Sequence, residues 1–310
     1  MSIPPCFNRT RAGFLILLAA LFSTLLQAVE ISEATYEGRA QFLIRTESAT
    51  WYFDRAGGGF SRLIDPDGQD WIHFSQNPLN QYPASAAAGY RGIPNLVFGS
   101  KNPDAGAGHP GFDRCHSVQL DTQTIQTTSL SRKWQWSWRF TESHAVFTME
   151  KTDPEHAWWF LYEGPIAGSF APKEKYWATD KLGLSTDIPS NSNQLFGQWK
   201  WVYFGDRHTP RVLYLVQHEA DQLPDTLWYL GSSDGGSSSA SDGMIVFGFG
   251  RGPKTTPQFR DKGTSITVGF LAAKPSKNGA PLSDQACDRL EKEIEAQIKT
   301  VTGIRNEKSN

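Results

Sequence analysis

Between Tyr90 and Ser117 the chain concentrates side chains that bind anions and move protons. It runs Tyr90-Arg91-Gly-Ile-Pro-Asn-Leu, then a Gly/Asn/Pro/Asp-rich stretch, then His109-Pro-Gly-Phe-Asp113-Arg114-Cys-His116-Ser. Arginine clamps a carboxylate with two parallel hydrogen bonds, and histidine exchanges protons near neutral pH. Tyr90, His109 and His116 are therefore candidate catalytic groups, and Arg91 and Arg114 candidate substrate-binding groups. The blander alternative is that the arginines pair with local carboxylates and the histidines bond backbone carbonyls. Gly and Pro punctuation predicts turns throughout this segment, and loops on a rigid scaffold are where binding groups concentrate.

Other candidates lie further along. Tyr162-Glu163-Gly-Pro closes an apolar run, Trp158–Leu161, and a carboxylate at a strand end among aromatics is suited to act as an acid. Asp206-Arg207-His208 falls in a turn between two strong strand patterns, which makes Arg207 and His208 substrate-binding candidates or simply a solvated turn. His218-Glu219-Ala-Asp221 is a weaker cluster of the same kind. Arg251 follows Phe247-Gly-Phe-Gly250, whose glycines allow close approach of a ligand or of another backbone.

The elements that must position these groups are strands. Short β-branched and aromatic runs recur along the whole chain, among them Gln41–Arg45, Thr50–Asp54, Trp71–Phe74, Thr124–Ser129, Met244–Phe249 and Ser265–Ala272, with turn residues between many of them. The pattern predicts an all-β antiparallel sandwich. Lys133–Phe140 alternates strictly, with Trp134, Trp136, Trp138 and Phe140 on one face. Such a ladder is either a core layer or a platform for stacking sugars; the same two readings apply to Trp199 and Trp201. One helix is predicted at about 283–300, capped by Ser283, with Leu282, Ala286, Leu290, Ile294 and Ile298 on its apolar stripe, packed outside the sandwich.

Composition narrows the partners. Net charge is −2 without a basic patch, which excludes an electrostatic nucleic-acid footprint. Arg9 and Arg11, the apolar run Gly13–Leu26 and the small Ala28 form the layout of a secretory signal peptide at 1–28. A single domain at 29–305 and a disordered tail at 306–310 are expected, secreted or periplasmic, with no stable membrane anchor after cleavage. Cys115 and Cys287 can pair in an oxidising compartment. No Cys/His spacing specifies zinc, no nucleophile elbow supports a Ser–His–Asp hydrolase, and Gly57-Gly-Gly59 lies in a hairpin rather than a phosphate loop. No cofactor and no metal are expected.

Two stretches resemble known families. Tyr52-Phe-Asp-Arg-Ala-Gly-Gly-Gly-Phe-Ser-Arg-Leu-Ile-Asp-Pro-Asp-Gly-Gln-Asp-Trp71 is similar to the first hairpins of the galactose-mutarotase-like β-supersandwich. Tyr90-Arg91 with Gly108-His109-Pro-Gly-Phe-Asp-Arg114 resembles the aldose epimerase pattern of an arginine loop before a histidine-glycine loop. That resemblance implies Arg91 on sugar oxygens and His109 at the reacting end of the sugar. The second histidine loop of the epimerases and their C-terminal glutamate have no counterpart here. The signatures YRGIPN, YEGPIAG and VFGFGRG resemble secreted proteins of polysaccharide-degrading bacteria. The expectation is a secreted carbohydrate-active enzyme acting on an oligo- or polysaccharide, first a lyase on a uronate glycan. A glycoside hydrolase, a sugar epimerase or a non-catalytic binding protein are the alternatives.

Overall fold

The computed structural model describes residues 29–77, 91–99, 101–169, 171–230, 244–273 and 281–308. Tyr90, residues 1–28, where a signal peptide is expected, and the last two residues lie outside them.

Four strands open the chain as an antiparallel meander: β1 (Val29–Tyr36), β2 (Arg39–Thr46), β3 (Thr50–Asp54) and β4 (Gly59–Ile64). β5 (Gly92–Asn95) pairs with β4. A second meander follows: β6 (Cys115–Gln119), β7 (Thr124–Ser129), β8 (Gln135–Phe140) and β9 (His144–Lys151). β10 (Phe160–Gly164) returns to the first sheet beside β5. Next come β11 (Lys175–Thr179), β12 (Leu195–Gly197), β13 (Trp201–Asp206), β14 (Arg211–Gln217), β15 (Asp225–Leu230) and β16 (Met244–Phe249). β17 (Arg251–Gly252) and β18 (Thr256–Pro257) make a small ribbon, and β19 (Ser265–Ala272) precedes α1 (Asp284–Lys308).

These strands form two large sheets, ordered β1-β2-β3-β4-β5-β10-β16-β15-β12 and β11-β13-β14-β19-β9-β8-β7-β6. The architecture is the predicted antiparallel sandwich. Its core is aromatic because both inner faces carry large rings. Trp138 meets Phe60, Phe147 and Phe160 with centroids 4.7, 5.4 and 6.0 Å apart. Trp134, Trp136 and Trp138 are fully buried, so the tryptophan ladder is a layer of that core and not a sugar platform.

A second apolar cluster lies on the outer face of β11, β13 and β14, where Tyr176, Trp201, Tyr203 and Tyr214 meet Leu282, Leu290, Ile294 and Ile298. This is the helix packed outside the sheet, and the Ser283 hydroxyl accepts the Ala286 N–H at 3.3 Å as its cap. The helix continues to Lys308, past the expected end near 300 and into the tail expected to be disordered.

Two local expectations need correction. Trp71–Phe74 forms no strand: the segment leaves β4 after a bridge between Ile64 and Asp70, and His73 has a positive φ of 53°. Its indole is held instead by Asp65, which accepts from Nε1 at 2.9 Å. Conversely, Gly92–Asn95, read from its Gly and Pro as part of a turn, is a strand in the middle of the larger sheet. Pro94 lacks an N–H for the ladder, and the register against β10 shifts there, from Leu161 opposite Asn95 to Glu163 opposite Gly92. Cys115 and Cys287 are free thiols, the first in the core and the second on α1.

Candidate functional site

β10 sorts its side chains by alternation. Phe160 and Tyr162 enter the core between the sheets. Leu161 and Glu163 take the outer face, where Trp159, Leu161, Trp228, Met244 and Val246 form a cluster of their own. Glu163 stands at the edge of this cluster with a side-chain exposure of 12 %.

Two groups bond that carboxylate. Asn95, opposite Leu161 on β5, donates from Nδ2 to Glu163 Oε1 at 2.9 Å. The Asn95 amide oxygen in turn accepts from Trp159 Nε1 at 3.2 Å. His109 Nε2 lies 3.2 Å from Glu163 Oε2, while His109 Nδ1 lies 2.8 Å from the Pro110 carbonyl oxygen. A carbonyl can only accept, so Nδ1 carries a proton. The bond between Nε2 and Oε2 then requires one further proton held between imidazole and carboxylate. Geometry therefore makes the two residues a single proton-sharing unit.

The loop that carries His109 is fastened from below. Asp54 is fully buried; its Oδ2 accepts the Gly111 N–H at 2.8 Å and its Oδ1 the Ala56 N–H at 3.1 Å. Arg39 bridges Asp54 and Asp113 at 2.7 and 2.6 Å. Pro110 lies against the backbone of Gly57, Gly59 and Gly92. A Cβ on Gly57 would stand 2.6 Å from the His109 carbonyl oxygen and 2.7 Å from Pro110 Cα, so the twin-glycine turn lets the histidine loop sit down on the sheet. Arg39 and Asp54 lie outside the chemically dense stretch and Asn95 lies inside it among turn residues, so none was a sequence candidate; the glycine run was the visible signal.

Arg251 completes the outer face. Its guanidinium stacks over Trp228 at 3.9 Å and over Trp159 at 5.3 Å. Nη2 donates to Thr255 Oγ1 at 3.1 Å. Burial pushes the guanidinium down to about 10 against the opposing pull of Glu163. Phe98, 44 % exposed, stacks on Trp159 with centroids 4.7 Å apart and carries the aromatic surface out to solvent.

Of the groups singled out in sequence, the fold brings His109, Glu163 and Arg251 to one place. Arg91 is buried at the start of β5, and its charge reaches the Tyr162 hydroxyl on the core side. That hydroxyl donates to the Trp71 carbonyl at 2.5 Å, and burial raises it well above the usual phenol range. Arg114 and His116 are exposed at the edge strand β6 of the other sheet, with Cys115 turned into the core between them. Arg207 and His208 lie on the turn after β13, where His208 faces Glu174 at 3.3 Å. A groove of about 620 Å³ beside Lys173, Asp187 and Tyr229 is lined by none of the site residues. Asp153, Glu155 and His156 bring donor atoms within 4.8 Å of one another, and the Lys133 ammonium already lies 3.1 Å from Asp153.

No protein-family model and no curated protein sequence matches the chain. Several solved structures align with most of the chain at low identity. A galactose mutarotase-like protein from Lactobacillus casei aligns with a TM-score of 0.49 at 11 % identity, over 74 % of this chain and all (100 %) of that one. The protein HI1317 gives 0.49 at 14 %, over 78 % and 96 % of the two chains. A galactose mutarotase related enzyme from Lactobacillus acidophilus gives 0.45 at 5 %, over 76 % and 98 %. Likenesses of this size pass no residue role to the present chain.

Proposed function

We propose that this chain is an exported carbohydrate-active enzyme whose His109–Glu163 pair transfers protons at a sugar ring, and that the reaction is β-elimination on a uronate glycan. The observation that carries this reading is the 3.2 Å contact between His109 Nε2 and Glu163 Oε2, set beside the aromatic surface of Trp159, Trp228 and Phe98. In such an elimination the C5–H bond breaks and its electrons form the C4–C5 double bond. The C4–O bond cleaves as that double bond forms, its electron pair leaving with the oxygen, which takes a proton. The pair is suited to accept the first proton and return one to the departing oxygen, because its Nδ1 and Oε1 positions are already fixed by Pro110 and Asn95. Inverting or retaining glycosidases need two carboxylates flanking the scissile bond. Among the described residues, Glu163 is the one carboxylate bonded into the His109–Asn95 network.

The test is to incubate the protein with alginate, pectin, glucuronan and ulvan and follow ultraviolet absorbance of the unsaturated product. Absorbance growth on any one of them supports elimination. Release of reducing ends without new absorbance would select hydrolysis, and retention of oligosaccharide with no turnover would select a binding module.

A further inference from the structure

Arg251 is 5 % exposed and Trp228 4 %, yet each keeps a buried donor with no acceptor among the described residues: Nη1 of the guanidinium and Nε1 of the indole. The two groups are stacked 3.9 Å apart, so both idle donors belong to one spot on the outer face of the larger sheet. Among the described residues no carboxylate forms an ion pair with Arg251; Glu163 acts on it only through space. A buried cation without a contacting counter-ion, and a buried N–H without an acceptor, are both costly arrangements that a ligand oxygen relieves. Stacking on Trp228 covers one face of the guanidinium and leaves its edge for a partner in the plane, the geometry in which arginine grips a planar carboxylate.

We infer that Arg251 Nη1 and Trp228 Nε1 form the subsite for the carboxylate of a uronic acid residue, and so set the preference of this site for acidic over neutral sugars. The assignment rests on the proposal that the His109–Glu163 face binds carbohydrate. It moves the carboxylate clamp from Arg91 and Arg114, which the fold puts elsewhere, to a residue on the same face as Glu163. Trp159 links the two halves, since it lies under Arg251 and bonds to Asn95, the partner of Glu163.

Methyl glycosides of glucuronate, galacturonate and mannuronate carry no leaving sugar at C4, so their binding is independent of any elimination chemistry. Calorimetric titration of the full chain should show at least one of them binding roughly tenfold or more tightly than the matching neutral methyl hexoside. Arg251→Lys and Trp228→Phe should each abolish most of that preference, read as the ratio of acidic to neutral affinity within the same variant, with the β-sheet circular dichroism of the parent retained. Trp228→Phe keeps an aromatic ring at the stacking position while removing the N–H, and a ratio taken within one variant guards against loss through misfolding. Equal binding of acidic and neutral glycosides, absence of binding by every uronoside, or survival of the preference in both variants would overturn the assignment. Tighter binding of methyl glucoside 6-sulfate than of any uronoside would also overturn it, as a sulfate subsite. Failure of the lyase reading alone would appear differently: uronosides would bind with the Arg251 dependence, and no polysaccharide would yield unsaturated product.

Discussion

Glu163 and His109 are separated by 54 positions in the chain and by 3.2 Å in the fold. The Pro110 carbonyl can only accept, so it orients the His109 ring with Nε2 toward Glu163 Oε2. Glu163→Gln keeps the shape and removes the carboxylate. We expect turnover to fall by on the order of 10²–10⁴, with little change in melting temperature, as measured by product absorbance and thermal unfolding. Parental activity in Glu163→Gln would remove this pair from the chemistry.

The histidine loop depends on the missing side chain of Gly57. Gly57→Ala sets a methyl against the His109 carbonyl oxygen and Pro110 at distances no real contact tolerates. Backbone atoms cannot step aside as a flexible side chain can, so the loop must lift. The expected outcome is a loss of about 1–3 kcal/mol in urea unfolding, together with reduced turnover. An unchanged unfolding midpoint would mean that the loop is not seated as described.

Acid stability should turn on His144. Burial holds its imidazolium down to about 4, with the positive charge of Arg139 adding to the effect, against an ordinary value of 6.5. The unfolded chain therefore binds a proton below pH 6.5 that the folded chain refuses until about 4. Stability contributed by the neutral ring is complete above 6.5 and is lost as pH falls across that window, by up to roughly 3 kcal/mol. His144→Gln should flatten the fall in urea midpoint between pH 6.5 and 4. The same slope in the variant and the parent would dismiss this group as its source.

Lys175 and Asp206 form a buried ion pair at 2.6 Å, and the ammonium also donates to the Ile166 carbonyl at 2.7 Å. Lys175→Met leaves the Asp206 carboxylate buried without its counter-charge, and should cost about 3–5 kcal/mol. The paired change Lys175→Met with Asp206→Leu should recover much of that loss. A single variant as stable as the parent would show that water reaches Asp206.

Much of the scaffold was legible because hydrophobic alternation is a local property. Thr50–Asp54, Thr124–Ser129, Met244–Phe249 and Ser265–Ala272 are strands at the predicted bounds, and the four-residue spacing of Leu290, Ile294 and Ile298 marks the buried stripe of the terminal helix. β5 was hidden because its four residues include Gly92 and Pro94, which weaken strand propensity wherever the partner strands are unknown.

The sequence by itself determined an antiparallel β sandwich with an external helix, and it marked His109, Glu163 and Arg251 as chemically capable groups. Which of the many histidines, arginines and carboxylates belong together was decided only by tertiary structure. Pairing of β10 with β5 and β16 brings Asn95, Glu163 and the Trp228 cluster onto one face, and Asp54 with Arg39 ties His109 down beside them. Arg114 and His116, close to His109 in the chain, go to the opposite sheet because the intervening turn crosses the sandwich. Strand alternation can be recognised within a few residues, but register and sheet order depend on contacts between distant segments, and those contacts assemble the site.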